Sequence, residues 1–366
     1  MARSARASRR PWWTTSAAGI AIASPLLLSF AAPDDDAPAA TETVQLRPTI
    51  KKKWDFLVPN ERWRPIDGEI QIGGFYFATE VKSDSKLLVA TKPGTTPRLS
   101  ASYKGDVVRL TAETSTGEEF ETAVRIRGNR QGAFSWAPAG LREGEIAGEP
   151  VWIIDANANG VFDDLGQDAV VIGRTPGAAT LGSVWLVDGE LYEVEVNADG
   201  TELTYAPYRG EVGVLDVTSE FGMRANLVSA VFESSGVSLQ LADTSKGVTV
   251  PAGDYTLSWG RVEKGKDTAD IVRGEMPTIE VEPGATTVLE WGHEIHGKPE
   301  VRRGPSSVTI NPGYRIWGGA GEEYVNFSPA PEAHKFRVED EKGKKLDSGS
   351  LKGGENVSAG ASSGGG

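Results

Sequence analysis

Oxygen-bearing groups recur at alternate positions in one short segment of this chain. The positions are Asp155, Asn157, Asn159, Val161 (through its main-chain carbonyl) and Asp163. Ca2+ takes about six to eight oxygen ligands, and alternate Asp and Asn side chains turn their oxygens towards one point. Gly160, between the third and fourth of these positions, permits the sharp turn that such a loop needs. The spacing therefore predicts a calcium site.

This opening resembles the Asp-x-Asn-x-Asn-Gly signature of EF-hand loops, and then departs from it. The twelfth position is Gly166 instead of a bidentate Glu, so Asp164 or Asp168 would replace that ligand. The flanking runs, 151–154 and 169–172, are apolar and β-branched, which favours strands. We expect a strand–loop–strand turn, similar to loops of secreted bacterial β-rich proteins of uncharacterised function, with Ca2+ as a structural ion.

The alternative is a polar turn that folds without metal. Asn and Asp side chains accept hydrogen bonds from nearby backbone N–H groups and stabilise turns on their own. The chain has no cysteine, so it has no disulfides, thiolate metal sites or cysteine nucleophiles. A bound Ca2+ would add stability that disulfides cannot supply here.

Other patterns that could carry chemistry are weaker. His293 and His296 lack HExxH spacing, and on a strand they would face opposite sides, so we expect a turn between domains. Acidic residues are abundant, but linear spacing does not identify a pair that would act as acid and base. The sequence has no Walker loop. We name no catalytic residue and expect a protein that is not an enzyme.

Eight tryptophans lie after the N-terminal segment. The default expectation is that they pack in apolar cores. Trp63, flanked by Arg62 and Arg64, is the one expected to be partly exposed. A flat aromatic platform for sugars is the alternative. The residues are Trp54, Trp63, Trp136, Trp152, Trp185, Trp259, Trp291 and Trp317.

The first 32 residues predict an export signal. A basic start (Arg3, Arg6, Arg9 and Arg10) precedes an apolar stretch, 17–30, that ends in small residues. Residues 8–13 resemble the twin-arginine signal, with Trp where that signal has Phe and Leu, which leaves the export route open. The stretch is shorter than the roughly 20 residues of a membrane span. We expect a periplasmic or extracellular protein with no membrane span after removal of the signal; an uncleaved anchor is the alternative.

Charge and composition bound the partners. The chain has 366 residues and a net charge of −13, which argues against nucleic-acid binding, since phosphate contacts need clustered Lys and Arg. A protein or glycan partner at the cell envelope is the remaining expectation. Gly 44 and Pro 21 favour many turns between short strands.

Period-two alternation of apolar and polar residues predicts an all-β fold. The clearest hairpin joins 191–196 to 201–205 through an Asp-Gly turn at 199–200. Further strands are expected at 70–79, 86–90, 106–112, 119–127, 150–155, 168–172, 307–310, 314–317, 335–339 and 345–350.

We expect two or three small antiparallel β-sandwich-like domains. The Val250–Leu257 segment, with Pro251-Ala252-Gly253, and the pieces at 278–281 and 286–288 resemble carboxypeptidase-regulatory-like, transthyretin-type sandwiches over 211–292. That resemblance implies architecture more than activity. The expected divisions are 1–32 (export signal), 33–52 (flexible linker), 53–209 (first β-domain), 210–296 (sandwich), 297–352 (small β-unit) and 353–366 (disordered tail).

Three functions fit these features. The leading hypothesis is an exported, non-enzymatic protein that binds or scaffolds and carries a structural calcium loop. The second is a secreted hydrolase or lyase acting on glycans, with carboxylates as catalysts and Trp residues as subsites. It predicts a cleft that joins paired carboxylates to aromatic platforms. The third is a passive accessory module of a larger assembly.

Overall fold

A computed structural model describes residues 40–360, except positions 60, 116, 118, 243, 245, 305–306, 331–333, 341 and 352–356. Within these residues the chain is all-β, as the period-two pattern predicted, and no helix is present. Accordingly, the described part of the chain holds no helix with the length and apolar character to cross a membrane. The expected export signal, 1–32, lies outside the described residues.

The described strands are numbered here in chain order. They are β1 (Glu42–Gln45), β2 (Arg47–Ile50), β3 (Arg64–Pro65), β4 (Glu69–Ile72), β5 (Phe75–Ser83), β6 (Lys86–Val89), β7 (Leu99–Ser102), β8 (Asp106–Glu113), β9 (Glu119–Gly128), β10 (Phe134–Pro138), β11 (Gly140–Ile146), β12 (Glu149–Ile154), β13 (Ala169–Ile172), β14 (Ala179–Thr180), β15 (Val184–Val187), β16 (Glu190–Val196), β17 (Glu202–Pro207), β18 (Val212–Asp216), β19 (Asn226–Ser234), β20 (Val237–Gln240), β21 (Val248–Pro251), β22 (Gly253–Lys264), β23 (Asp267–Val272), β24 (Ile279–Val281), β25 (Thr286–Val288), β26 (His296–Arg303), β27 (Ser307–Trp317), β28 (Glu323–Ser328), β29 (His334–Glu339), β30 (Lys345–Leu351) and β31 (Val357–Gly360).

The largest sheet crosses both internal boundaries that the sequence suggested. Its strand order is β1-β17-β16-β15-β20-β19-β22-β23-β28-β27-β26, with β24 added to β22 and β31 added to β27. Of its strands, β15, β16 and β17 come from 53–209. Strands β19, β20, β22, β23 and β24 come from 210–296, and β26, β27 and β28 come from 297–352, apart from the first residue of β26. Hydrogen bonds between strands therefore connect the expected units across 209/210 and 296/297.

Two four-stranded sheets face each other in the first half of the chain. One has the order β3-β10-β9-β8 and the other β4-β5-β6-β7. The alternating inward residues of both sheets build one core, as two-layer packing requires. Its fully buried members include Ile70, Phe77, Leu87, Leu110, Ile126 and Trp136.

The sheet β14-β13-β12-β11-β2 is covered on both faces. Val151 and Val170 pack with Trp185 of the large sheet, while Ile154 and Val171 pack with the segment around Trp54 on the other side. Burial on both faces explains why β12 and β13 read as continuous apolar runs instead of an alternation.

In the second half of the chain, the sheet β21-β18-β25 packs on the large sheet. Leu215, Phe232, Tyr255 and Trp291 fill the space between them and are fully buried. Tyr255 and Leu257 are both buried in this core, as expected for alternate residues on one face of a strand. This is a sandwich-like arrangement; the transthyretin-type resemblance stays a prediction.

The hairpin predicted at 191–205 is confirmed: Val194 pairs with Tyr205 and Val196 with Leu203. The single strand predicted at 70–79 is wrong. Gly73 and Gly74, with φ of 59° and 77°, reverse the chain there and separate β4 from β5. Adjacent left-handed glycines form a tight turn, so a continuous alternating pattern hides a hairpin.

The flexible linker expected at 33–52 is also corrected where it is described. Strand β1 pairs with β17, with Glu42 opposite Tyr205, and β2 pairs with β11, with Thr49 opposite Leu141. Both pairings join residues far apart in the chain, so polar local composition did not indicate them.

At the other end, β27 is one strand where two were predicted. The strands predicted at 335–339 and 345–350 correspond to β29 and β30, which pair as a hairpin. Of the expected tail, 353–366, only Val357–Gly360 is described, and it pairs with 307–310 of β27. The remaining tail residues lie outside the described part of the chain.

Candidate metal loop and the neighbouring aromatic cluster

The candidate loop, 155–168, connects two adjacent buried strands. Strands β12 and β13 are antiparallel neighbours, and Ile154 pairs with Ala169 at the point where the loop begins and ends. This confirms the predicted strand–loop–strand arrangement. Because both strands are buried on both faces, the two ends of the loop are held in fixed positions.

Asp155 fixes the first turn of the loop. Its side chain is 5% exposed, and its two carboxyl oxygens accept hydrogen bonds from the N–H groups of Asn159 (3.1 Å) and Gly160 (2.8 Å). The carboxyl group thus lies inside the curve of the loop, where it caps backbone groups that have no strand partner.

Asp168 closes the loop from the other end. It is 1% exposed, and it accepts hydrogen bonds from the N–H groups of Ala156 (3.1 Å) and Asp164 (3.2 Å). Asp155 and Asp168 therefore bring the beginning and the end of the loop together around two buried carboxyl groups.

Burial raises the pKa of both carboxyl groups. Burial raises the pKa of Asp155 to about 6, against hydrogen bonds from backbone N–H groups that lower it. Burial, and next the charge of Asp155, raise the pKa of Asp168 to about 8. Two negative charges in a site with little water are unfavourable, so the pair takes up a proton unless a cation neutralises it.

Asn157, Asn159 and Asp164 converge on one atom. The side-chain N–H groups of both Asn residues donate to Oδ2 of Asp164, at 2.7 Å for Asn157. Their carbonyl oxygens accept from the backbone, Asn157 from the N–H of Asn159 (2.9 Å) and Asn159 from the N–H of Val161 (3.0 Å). Three of the predicted ligands are thus within reach of one another.

The remaining predicted ligands are placed differently. Val161 is half-buried and its N–H is bound to Asn159. Asp163 is exposed and forms no hydrogen bond or ion pair with any described residue. Within the described chain, no three His, Cys, Asp or Glu side chains are arranged to hold a metal ion. An ion at this loop therefore needs Asn and backbone oxygens as well as carboxylates.

A neighbouring turn supports the loop, which the sequence did not indicate. Gly160 has φ of 92°, and a Cβ atom on it would lie 2.7 Å from Cα of Gly73. The N–H of Gly73 also donates to the carbonyl of Ala158 (3.1 Å). The glycine at the sixth position therefore permits both a left-handed backbone and close contact with the β4–β5 turn.

Arg64 holds the outer side of the loop. Its Nη2 donates to the main-chain carbonyls of Asn157 (2.7 Å) and Ala156 (3.2 Å), and its guanidinium group stacks over Trp136 at 5.0 Å. Its Nη1 is buried and has no hydrogen-bond partner among the described residues. The sequence indicated Arg64 only as a neighbour of Trp63.

An aromatic cluster lies beside the loop and consists of Trp54, Trp63, Glu61, Arg125 and Arg127. Glu61 accepts hydrogen bonds from the indole N–H groups of Trp54 (2.7 Å) and Trp63 (3.1 Å), and it forms an ion pair with Arg125. The guanidinium group of Arg125 stacks over Trp54 at 4.2 Å. Arg127 stacks over Trp63 at 3.8 Å.

Most of the tryptophans are buried, as expected. Trp54, Trp136, Trp185, Trp259, Trp291 and Trp317 are buried, and Trp63 and Trp152 are half-buried. The predicted partial exposure of Trp63 is confirmed. His293 and His296 share no partner in the described contacts, and Nδ1 of His296 is bound to the carbonyl of Glu294 (2.7 Å).

Comparisons with protein families, with curated proteins and with solved structures found no match to this chain.

Proposed function

We propose that this chain is an exported, non-enzymatic β-protein that acts in binding or scaffolding at the cell envelope or outside the cell, and that its 155–168 loop takes up Ca2+ as a structural ion. The observation that carries the calcium proposal is the pair of buried carboxyl groups, Asp155 and Asp168, at the two ends of one loop. A divalent cation would neutralise both charges without a proton.

The donor set has the chemistry that calcium prefers. Asp155, Asn157, Asn159, Asp164 and Asp168 supply hard oxygen ligands, with the carbonyl of Val161 as a further donor. An oxygen that accepts one N–H bond keeps a second lone pair for a metal. The loop has no Cys or His, which the softer metals favour.

Binding is favoured over hydrolysis by the state of the nearby acids. The cavity beside the aromatic cluster is lined by Trp54, Trp63 and Trp259, and its two carboxylates are Glu61 and Asp270. Both are engaged: Glu61 with Arg125, and Asp270 with Arg261 and with Asn326. Because both carboxylates of this cavity are held by neighbouring side chains, neither is free to act on a substrate, which argues against the glycan-hydrolase alternative at this cavity.

Thermal unfolding tests the calcium proposal. The purified chain is unfolded in chelator and again with Ca2+ in excess. At 100 times the Kd, binding to the folded state alone adds about 2.7 kcal/mol, so the midpoint rises by several degrees. Asp155→Ala is expected to abolish the rise. Asp216→Ala is the control, because Asp216 is also buried and accepts backbone N–H bonds, from Thr218 and Ser219, but lies outside the loop. An equal rise in Asp155→Ala, or none in the unaltered chain, would refute the proposal.

Export is tested by mapping the N-terminus of the protein recovered from the periplasmic and extracellular fractions. The proposal predicts a chain that begins near residue 33. A full-length chain confined to the cytoplasmic fraction would contradict it.

A further inference from the structure

Two cavities share the aromatic cluster as a common wall. One has a volume of about 300 Å3 and the other about 490 Å3, and Trp54, Glu61 and Arg125 line both. Volumes of this order hold one or two sugar rings or a similar small ligand.

The common wall is fixed by its own contacts. Glu61 holds both indole N–H groups, and Arg125 is bound to Glu61, to the carbonyl of Pro138 (2.9 Å) and to the face of Trp54. Groups that are held in place lose little conformational entropy when a ligand binds, which favours recognition at this wall.

Cations without an acidic partner surround the cavities. Lys53 and Arg62 are exposed and each lines one cavity, while Arg127 is exposed and stacks on Trp63. None of the three forms an ion pair with a residue in the described ranges. In a chain of net charge −13, exposed cations that gather without partners require an explanation.

The cavity walls carry a net positive charge even with every acid ionised. The acids are Glu61, Asp168 and Asp270, and the cations are Lys53, Arg62, Arg64, Arg125 and Arg261.

We propose that these two cavities form a binding site for a carboxylated glycan, in which Arg62, Arg127 and Lys53 bind uronate carboxylates and the exposed part of Trp63 contacts a sugar ring. Guanidinium groups bind carboxylates through paired, charge-assisted hydrogen bonds, and the part of an indole ring that is left exposed adds apolar contact with a sugar. Gln167 and Thr180 in the smaller cavity and Asn326 in the larger one supply groups for sugar hydroxyls.

A glycan fits these observations better than a nucleic acid or an acidic protein. Nucleic acids need an extended cationic face along a repeating phosphate backbone. Here the cations surround two bounded cavities with aromatic walls, in a chain that is acidic as a whole.

This inference rests on the proposed binding role and deepens it, but it does not depend on calcium. Glycan binding is therefore measured by isothermal titration calorimetry in chelator. Failure of the calcium proposal would leave this measurement unchanged, so the two proposals are tested separately. The probes are a hexuronic acid trimer, the neutral hexose trimer of the same linkage, polyglutamate and a single-stranded oligothymidylate.

The expected result is binding of the uronate trimer and no detectable binding of the neutral trimer. Arg62→Gln/Arg127→Gln should weaken uronate binding about tenfold or more. The control Arg98→Gln/Lys104→Gln removes the same charge from exposed positions that line neither cavity, and it should leave the Kd unchanged. Unfolding midpoints confirm that both variants fold.

Three results would overturn the inference. They are no binding of the uronate trimer, equal weakening by the control variant, and tighter binding of oligothymidylate or polyglutamate than of the trimer. The last of these would identify a general polyanion surface.

Discussion

Asp155 and Asp168 stand thirteen positions apart in the sequence, yet their carboxyl groups are buried in one loop and the charge of Asp155 raises the pKa of Asp168. Each carboxyl group also closes the loop by accepting two backbone N–H groups. The same two side chains therefore maintain the shape of the loop and form a buried acidic pair that a proton or a cation would stabilise.

The first prediction concerns stability against pH without calcium. The pKa values of Asp155 and Asp168, about 6 and about 8, lie above the ordinary value of 3.8. At a pH between 3.8 and the raised pKa of each group, the folded state holds a proton that the unfolded chain has released. Their stabilisation is fully present below about pH 4 and is lost as the pH rises through 6 and then 8. Urea unfolding in chelator at pH 4, 6 and 8 measures it.

The comparison for this prediction is the Asp155→Asn/Asp168→Asn variant, which cannot lose those protons. The difference in unfolding free energy between the variant and the unaltered chain should grow in favour of the variant as the pH rises. A difference that is constant with pH would contradict the raised pKa values.

The second prediction concerns Gly160. Alanine there adopts a left-handed backbone with φ of 92° and places Cβ 2.7 Å from Gly73, so the neighbouring turn must move. Gly166→Ala is the matched control in the same loop, since its φ is 75° but a Cβ there meets nothing within 4 Å. We expect about 1–2 kcal/mol of destabilisation for Gly166→Ala from backbone strain alone, and more for Gly160→Ala. Equal losses in urea unfolding would show that the contact with Gly73 does not matter.

The third prediction concerns Glu322, a fully buried carboxylate in the second half of the chain. It accepts hydrogen bonds from the N–H groups of Gly292 (2.8 Å) and Ala320 (3.1 Å) and from the hydroxyl group of Tyr324 (3.1 Å). Glu322→Ala removes the partner of all three donors, and two of them, the N–H of Gly292 and the hydroxyl group of Tyr324, are buried. We expect a loss of about 3–5 kcal/mol in the free energy of unfolding, because unpaired buried polar groups keep their desolvation penalty.

The neighbouring Glu323 supplies the control for Glu322. Its partner, Arg315, is exposed, and the two groups lie 3.4 Å apart. An ion pair with an exposed partner contributes about 0–1 kcal/mol, so Glu323→Ala should cost far less than Glu322→Ala. Similar losses for the two variants would contradict the role given to Glu322.

The sequence indicated features that depend on local order. The apolar runs beside the loop predicted strands, and Asp-Gly predicted the hairpin in which Val194 faces Tyr205. It did not indicate contacts between distant segments. Pairing of Glu42 with Tyr205, the contact of Gly160 with Gly73 and the contacts of Arg64 with the loop all depend on the tertiary fold.

The candidate ligands show the same limit. Alternate spacing predicted Asn157, Asn159 and Asp163 as ligands. Asn157 and Asn159 both donate to Asp164, and their role as ligands stays a prediction. The side chain of Asp163 is exposed. A one-residue difference in a turn changes the direction of a side chain, and spacing alone does not reveal which of two adjacent acids faces inward.

Direct calcium titration tests the central claim. Isothermal titration of the metal-free chain at neutral pH should give one Ca2+ per chain with a saturable heat. Asp168→Asn, which keeps a similar shape and removes one buried charge, should give no measurable binding. No heat in the unaltered chain, or the same stoichiometry and affinity in Asp168→Asn, would contradict the assignment and leave 155–168 as a metal-free turn.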